Sequence, residues 1–338
     1  MQWFNIPRCD HPTDMKEGDL EFSRFEARIR FASPAHLPFW SGNALRSGFG
    51  ARLKALVCLA KGAGLPDECP SCPHREMCVY NFFYNARPPS GAKVLRRQSD
   101  PPRPFSFEPP QSGRYDPGSE VAFGFTLFGK GIQYLPYFLL ALRNLGESGL
   151  GTGYREGQGK FALESVDSLG YGARTNIFSG DTVFNRSILL SYRDILKASK
   201  EHAGSLTINF VTPAQIKEND RFTAAPTFRG FMSKLLSRAN VLAEFYGSGA
   251  LYSSEEALSI LGACRPITIT SAETREIWEK RYFHKQKQEK RPLAPFFTGK
   301  LTYSGEFSQD MMALLELGSM IHVGKMVTFG NGIYDIKC

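Results

Sequence analysis

The chain has 338 residues, 42% of them hydrophobic and 22% charged. That length and apolar content allow two domains with cores of their own and exclude a disordered chain. Lys and Arg outnumber Asp and Glu by 41 to 33, a formal charge of +8, which suits an anionic partner without requiring one.

Met1 to Asp10 holds no basic segment followed by an apolar run, so no secretory signal is expected and the compartment is read as the cytoplasm. Glu21 to Phe31 alternates, with Phe22, Phe25, Ala27, Ile29 and Phe31 largely on one parity, the period of a half-buried strand. After Pro34 and Pro38, residues Leu45, Phe49, Leu53, Leu56 and Val57 recur at helical spacing, which predicts a helix over 41–59. Residues 60–84 carry a cysteine cluster, and 87–118 are crowded with Pro, Gly, Ser and Arg, the composition of a surface loop. Alternation returns at Glu120 to Phe128. Tyr134 to Leu145 reads as a helix whose apolar window stops at Arg143, too short for a membrane span, and Lys160 to Val166 reads as a strand behind a run of glycines.

A similar order then recurs. Ser205 to Val211 reads as a strand, Thr227 to Tyr246 as a long amphipathic helix, Pro266 to Trp278 and Thr298 to Phe307 as strands, Gln309 to His322 as a helix and Gly332 to Lys337 as a last strand. Each half mixes strands and helices in a β-α-β manner and ends in glycines beside a basic residue. The fold class expected is α+β, two tandem ferredoxin-like, RRM-like domains over 1–170 and 180–338. The first carries a Cys-rich and Pro-rich insertion over about 60–118, and the boundary falls near 168–182.

The recurring glycine segments are Gly149-Leu150-Gly151-Thr152-Gly153-Tyr154-Arg155-Glu156-Gly157-Gln158-Gly159-Lys160 and the stretch around Lys325 with Gly324, Gly330 and Gly332. Neither is a Walker motif, and both precede a strand where a dinucleotide fold places a helix, so ATP and NAD are poor fits. Repeated glycine allows positive φ and close approach of backbone N–H groups to a phosphate, with the neighbouring Arg155 or Lys325 supplying charge. Such a pair of segments suits an RNA backbone.

At these residues the chain resembles the RAMP superfamily and, within it, the CRISPR precursor-RNA processing endoribonucleases. The resemblance rests on Leu37-Pro38 through Gly42 with Leu45-Arg46, Leu206 to Phe210 with Thr212-Pro213, Phe228 to Leu242 including Arg238, and His322-Val323-Gly324-Lys325 with Thr328 to Gly332. Arg281-Tyr282-Phe283-His284-Lys285-Gln286 looks like a further family motif, which usually carries Ser and Arg where Phe283 and Lys285 stand. The resemblance implies binding of CRISPR repeat RNA in precursor crRNA, with no membrane partner and no cofactor for catalysis. It also implies metal-independent cleavage in which a ribose 2′-hydroxyl attacks its own phosphate to leave a 2′,3′-cyclic end. A non-catalytic subunit binding crRNA in an effector complex is the alternative.

Relatives often carry a catalytic histidine on the first helix, and this chain has none between Ser41 and Leu59. The candidates are His36, just before that helix with Arg46 within it, and His322 beside Lys325. RNA contacts are expected from Gly149, Gly151, Gly153, Arg155, Gly157 and Gly159, from Arg238, from the basic run with Arg281, Lys285 and Lys287, and from Gly324, Lys325, Gly330 and Gly332. Separately, Cys69-Pro70-Ser71-Cys72 followed by Cys78 gives CxxCxxxxxC, and Cys58 could supply a fourth thiolate. Four thiolates suit a structural zinc, and His74 could replace one; an iron–sulfur cluster is the alternative.

Overall fold

The computed structural model describes residues 18–59, 69–87, 101–180, 182–184, 187–278, 280–282, 290–292 and 295–338. The first half contains β1 (Glu21–Phe31), β2 (Ala35–Leu37), α1 (Ser41–Val57), α2 (Val79–Tyr84), β3 (Phe105–Glu108), β4 (Gly113–Tyr115), β5 (Glu120–Phe128), α3 (Leu135–Ser148) and β6 (Phe161–Leu169), followed by β7 (Arg174–Ser179) and β8 (Thr182–Val183). Its sheet runs β3-β5-β1-β6-β7-β8. The first four of these are the second, third, first and fourth strands of a β-α-β-β-α-β unit, the ferredoxin-like order.

Why these segments form that sheet is visible in β1. Phe25, Ala27, Ile29 and Phe31 are buried at 1% exposure or less, while Arg24, Glu26, Arg28 and Arg30 face the other way and pair with Glu108, Glu120, Glu164 and one another. Alternation thus gives one apolar face for α1 and α3 and one charged face. On α3 the buried positions Leu135, Phe138, Leu139, Leu142 and Leu145 follow the helical period. Pro136 stands in its first turn, where the missing N–H leaves no bond unmade.

The second half begins with β9 (Leu190–Ser191), which pairs with the start of β1, and α4 (Tyr192–Ala198). It continues with β10 (His202–Ala214), β11 (Ile216–Glu218), β12 (Arg221–Thr223), α5 (Phe228–Tyr246), α6 (Ser254–Ala263), β13 (Thr268–Ile277), β14 (Lys280–Tyr282), β15 (Lys290–Pro292), β16 (Phe296–Phe307), α7 (Gln309–Ile321) and β17 (Tyr334–Lys337). Its sheet runs β13-β16-β10-β17, again second, third, first and fourth. The two halves are therefore tandem ferredoxin-like units. Among the described residues, no helix is long and apolar enough to cross a membrane.

Two features depart from the sequence reading. Phe105–Glu108 lies within the stretch read as surface loop, yet it is β3, with Phe105 and Phe107 at 0% exposure. A four-residue strand does not lift the average of a Pro-rich window, and its pairing with Phe125 and Leu127 is long-range. In addition, β7 and β8 carry the first sheet across 174–183, where the boundary between halves was expected.

The halves share one seam. Phe22 and Phe128, at the ends of β1 and β5, belong to the core of the second half. Tyr246 at the end of α5 donates its hydroxyl to the Pro102 carbonyl at 2.7 Å, and Gly129 leaves no space for a Cβ against the Tyr246 carbonyl.

Candidate nucleic-acid interface

The first glycine segment, between α3 and β6, folds back on the strand that holds His36. Thr152 N–H donates to the His36 carbonyl at 2.9 Å and Gly159 N–H to the Pro34 carbonyl at 2.9 Å. Gly151 has φ +98° and no space for a Cβ beside the His36 carbonyl, so only glycine permits this approach. On its other side β2 pairs with β4, setting His36 opposite Arg114. Directly opposed residues project on one face of an antiparallel pair, and Arg114, His36 and Thr152 are all exposed. Arg155 is also exposed, with its Nε donating to the Tyr154 hydroxyl at 3.1 Å.

Most of the N–H groups in the two segments are used within the protein. The N–H groups of Leu150, Thr152, Glu156, Gly157, Gln158 and Gly159 donate to carbonyls of the protein itself. So do those of Val323, Lys325, Phe329, Gly330 and Gly332 in the second segment. Gly149, Gly151, Gly153, Gly157, Gly159, Gly324, Gly330 and Gly332 all take positive φ. They shape the two loops, and the solvent-facing cations of the segments are Arg155, Lys160 and Lys325.

The second segment closes the seam against α1. Gly42, in the first turn of α1, packs its α-carbon against the Phe329 carbonyl, and Gly330 packs against Pro109 and the Phe107 carbonyl. The Arg46 guanidinium lies 4.5 Å from the Phe329 ring centroid and 5.0 Å from that of Tyr84, stacked between elements of both halves. Tyr84 returns a hydroxyl bond to the Arg46 carbonyl at 2.7 Å. A notch beside them is lined by Phe39, Trp40, Asn43, Thr212, Pro213 and Asn331 among others, with Phe39 at 53% exposure on its edge. Nothing in the sequence pattern marks these aromatics, because the notch exists only once the halves meet.

His322 occupies another place than the one expected of a catalytic group. It ends α7 with φ +63° and has 0% exposure, so it meets no phosphate arriving from solvent. Its Nε2 lies 3.9 Å from Glu108 Oε1, a seam contact between the two halves. Burial by itself raises the Glu108 pKa, but His322 and the Arg24 guanidinium at 3.3 Å outweigh it and hold the carboxyl down at about 2. Glu108 lies on β3, the strand hidden in the Pro-rich stretch, so its partner was not foreseeable.

Cys58, Cys69, Cys72, His74 and Cys78 line one cavity of about 330 Å³, and none of the four cysteines is in a disulfide. The four thiols are gathered, although among the described residues no three ligand side chains converge as they stand to hold an ion. Arg281 lies in the β14–β15 hairpin, opposite Arg291. Lys285 and Lys287 fall outside the described residues.

Residues 208–334 match the model of the CRISPR-associated endoribonuclease Cas6, and residues 20–189 match the AF_1859_N N-terminal domain. An uncharacterized protein of Archaeoglobus fulgidus is 28% identical over 324 residues, covering 94% of this chain and 98% of its own length. A solved Cas6 product complex is similar with a TM-score of 0.54 at 16% identity, over 94% of this chain and all of that one. Cas6 of Thermus thermophilus gives 0.50 at 15% identity, over 94% and 99%. A chain of a partial Cas6-RT-Cas1–Cas2 complex gives 0.54 at 14% identity, with 94% of this chain and 46% of that one covered. At such identities these structures speak to the fold, which they share with the tandem units described above.

Proposed function

The chain belongs to the Cas6 family of CRISPR-associated endoribonucleases, with an N-terminal half of the AF_1859_N type, and from that premise we propose that it cuts CRISPR precursor RNA within repeats without a metal ion. The observation that carries the reading is His36. Its imidazole is exposed on a strand fixed on both sides, by β4 and by the first glycine segment, with Arg114 on the same face.

In the proposed step His36 takes the proton of a ribose 2′-hydroxyl. The 2′-oxygen bonds to the adjacent phosphorus, the bond from phosphorus to the 5′-oxygen breaks, and that oxygen takes a proton from water to leave as a 5′-hydroxyl, while His36 returns the proton it accepted to the solvent. The products are a 2′,3′-cyclic phosphate and a 5′-hydroxyl end, so atoms and charge balance without an oxidant or an added nucleophile. In this reading Arg114, on the face of His36, and Arg155 from the neighbouring loop stabilise the charge that builds on the phosphorane oxygens. Arg46, stacked between Tyr84 and Phe329, positions α1 against the second loop.

The test is incubation of the purified chain with its repeat RNA in excess EDTA. We expect a single cut whose 5′ fragment carries a cyclic phosphate; RNA left intact by protein that still binds it would reverse the reading. That outcome would favour the rival, a subunit that binds crRNA in an effector complex without cutting, which the lack of a histidine on α1 supports.

A structural zinc on Cys58, Cys69, Cys72 and Cys78 is proposed alongside. The support is the donor set, four thiols around one cavity between the end of α1 and α2. Purified protein is expected to contain about one zinc per chain by elemental analysis. Cobalt substitution should give the thiolate charge-transfer absorption, weakened in Cys72→Ser. A brown, iron-containing preparation would point to the iron–sulfur alternative, and metal-free protein of unchanged melting temperature would dismiss both.

A further inference from the structure

A second cavity, of about 250 Å³, opens on the outer side of α5 and is unusual in its charge. Lys217 of β11, Lys234 and Arg238 of α5, and Lys325 of the second glycine segment line it, with Pro102 from the first half on its wall and no carboxylate among its lining residues. On α5 the spacing Lys234, Arg238 and Ser237, Val241 is i, i+4, which puts all four on one face, while Leu235, Leu236, Ala239 and Leu242 fill the core behind. Lys325 is held at the mouth because its N–H donates to the Gln215 carbonyl at 3.3 Å. Lys217 shares its ammonium with Asp220 at 2.9 Å, whose side chain is 98% exposed.

Arg238 is the group without an account. Its Nε donates to the Ile321 carbonyl at 2.8 Å, at the end of α7. Its Nη2 is buried and has no hydrogen-bond partner. An ionised donor left buried and unpaired is among the least favourable arrangements in a folded protein. Desolvation lowers its pKa to about 9, which leaves the guanidinium charged at neutral pH. The Asp220 carboxylate lies beside Lys217 and acts on Lys234, but it is not among the lining residues, so the buried Arg238 with Lys325 over it is left with cationic charge inside the notch that a bound anion would offset.

We propose that this notch is a phosphate site, in which Arg238 donates from the floor and Lys234 and Lys325 from the rim to one phosphodiester of the bound RNA. The inference rests on the RNA-binding reading above, and adds a grip on the strand remote from His36. It commits to the backbone of RNA, since the notch offers donors and charge but no aromatic face among its lining residues on which a base would stack. A free phosphate ion shares the chemistry and is separated from it by the experiment.

The probe is an oligouridylate single strand, bound to the full chain across a salt series, in the parent and in Lys234→Ala, Lys325→Ala and their double variant. Both lysines are exposed, so the fold should survive, as melting temperature will verify. For single strands the slope of log affinity against log salt is roughly 0.7 per phosphate neutralised. The double variant is therefore expected to bind several-fold more weakly and to lose about 0.7 or more from that slope. An unchanged slope and affinity overturn the proposal. Inorganic phosphate that raises the melting temperature of the parent but not of the double variant, with the RNA slope unmoved, assigns the notch to a free anion and also overturns it. The two readings fail separately. A parent chain that leaves repeat RNA uncut, while the double variant still loses slope, defeats the cleavage proposal alone; a cutting parent with unmoved slope defeats the notch alone.

Discussion

His36→Ala is expected to slow single-turnover cleavage of repeat RNA by about two to four orders of magnitude, the range that general acid and base groups contribute. The substitution removes little else. The side chain is exposed, and what fixes β2 is main chain, from the pairing with β4 to the bond from Thr152 N–H to the residue 36 carbonyl. Melting temperature and RNA affinity should therefore stay close to those of the parent, and the loss should appear in the rate at saturating protein. Arg114→Ala should slow the same step less, because it removes a charge near the phosphate and leaves the proton acceptor in place. His322→Ala gives the contrast: a residue at 0% exposure beside Glu108 is expected to affect stability while the chemistry persists in whatever remains folded. A His36→Ala protein that cuts at the parental rate would remove His36 from the mechanism.

The largest expected effect on folding belongs to Phe138→Ala. Phe138 lies at 0% exposure, with its ring 4.6 Å from that of Phe125, 4.2 Å from Phe49 and 5.6 Å from Phe107. It joins α3 to α1, to the central strand β5 and to the short strand β3 at one point. Truncation removes the buried ring and leaves a void that two helices and a sheet cannot all collapse into, at a cost of about 3–5 kcal/mol. Against a typical total of about 5–15 kcal/mol that is a large share. Urea unfolding should show the midpoint falling with little change in slope. Phe39→Ala, at an exposed ring, should shift it hardly at all. A Phe138→Ala protein within about 1 kcal/mol of the parent would mean that the cluster is not the core of the first half.

Much of this architecture was legible in the sequence because burial on one side leaves a period. The alternation of Phe25, Ala27, Ile29 and Phe31 and the helical recurrence of Leu45, Phe49 and Leu53 marked β1 and α1 within two residues of their observed ends. What escaped was set by distant pairing. β3 is four residues long inside a Pro-rich stretch, and β4 is three, so neither carries enough repeats to show a period. With them went Glu108 and Arg114, the partners of His322 and His36. The glycine segments were found by composition, but composition does not say where an N–H points. In the fold the N–H groups of Gly149, Gly157, Gly159, Gly330 and Gly332 bond carbonyls of the protein itself, and the side chains of Arg155 and Lys325 remain outside. Likewise Arg238 and Lys325 were each expected to contact RNA, but that they share one notch with Lys234 and Pro102 was not legible until the fold brought them together.

Backbone meets backbone across the seam at Gly42 against Phe329, at Gly330 against Phe107 and at Gly129 against Tyr246. Contacts of that kind have no side chains to rotate out of the way, so the halves neither slide nor hinge without breaking several of them together. If the chain binds repeat RNA as proposed, the seam is set before the strand arrives, and a repeat whose resting shape already approximates the bound bend is expected to bind tightest.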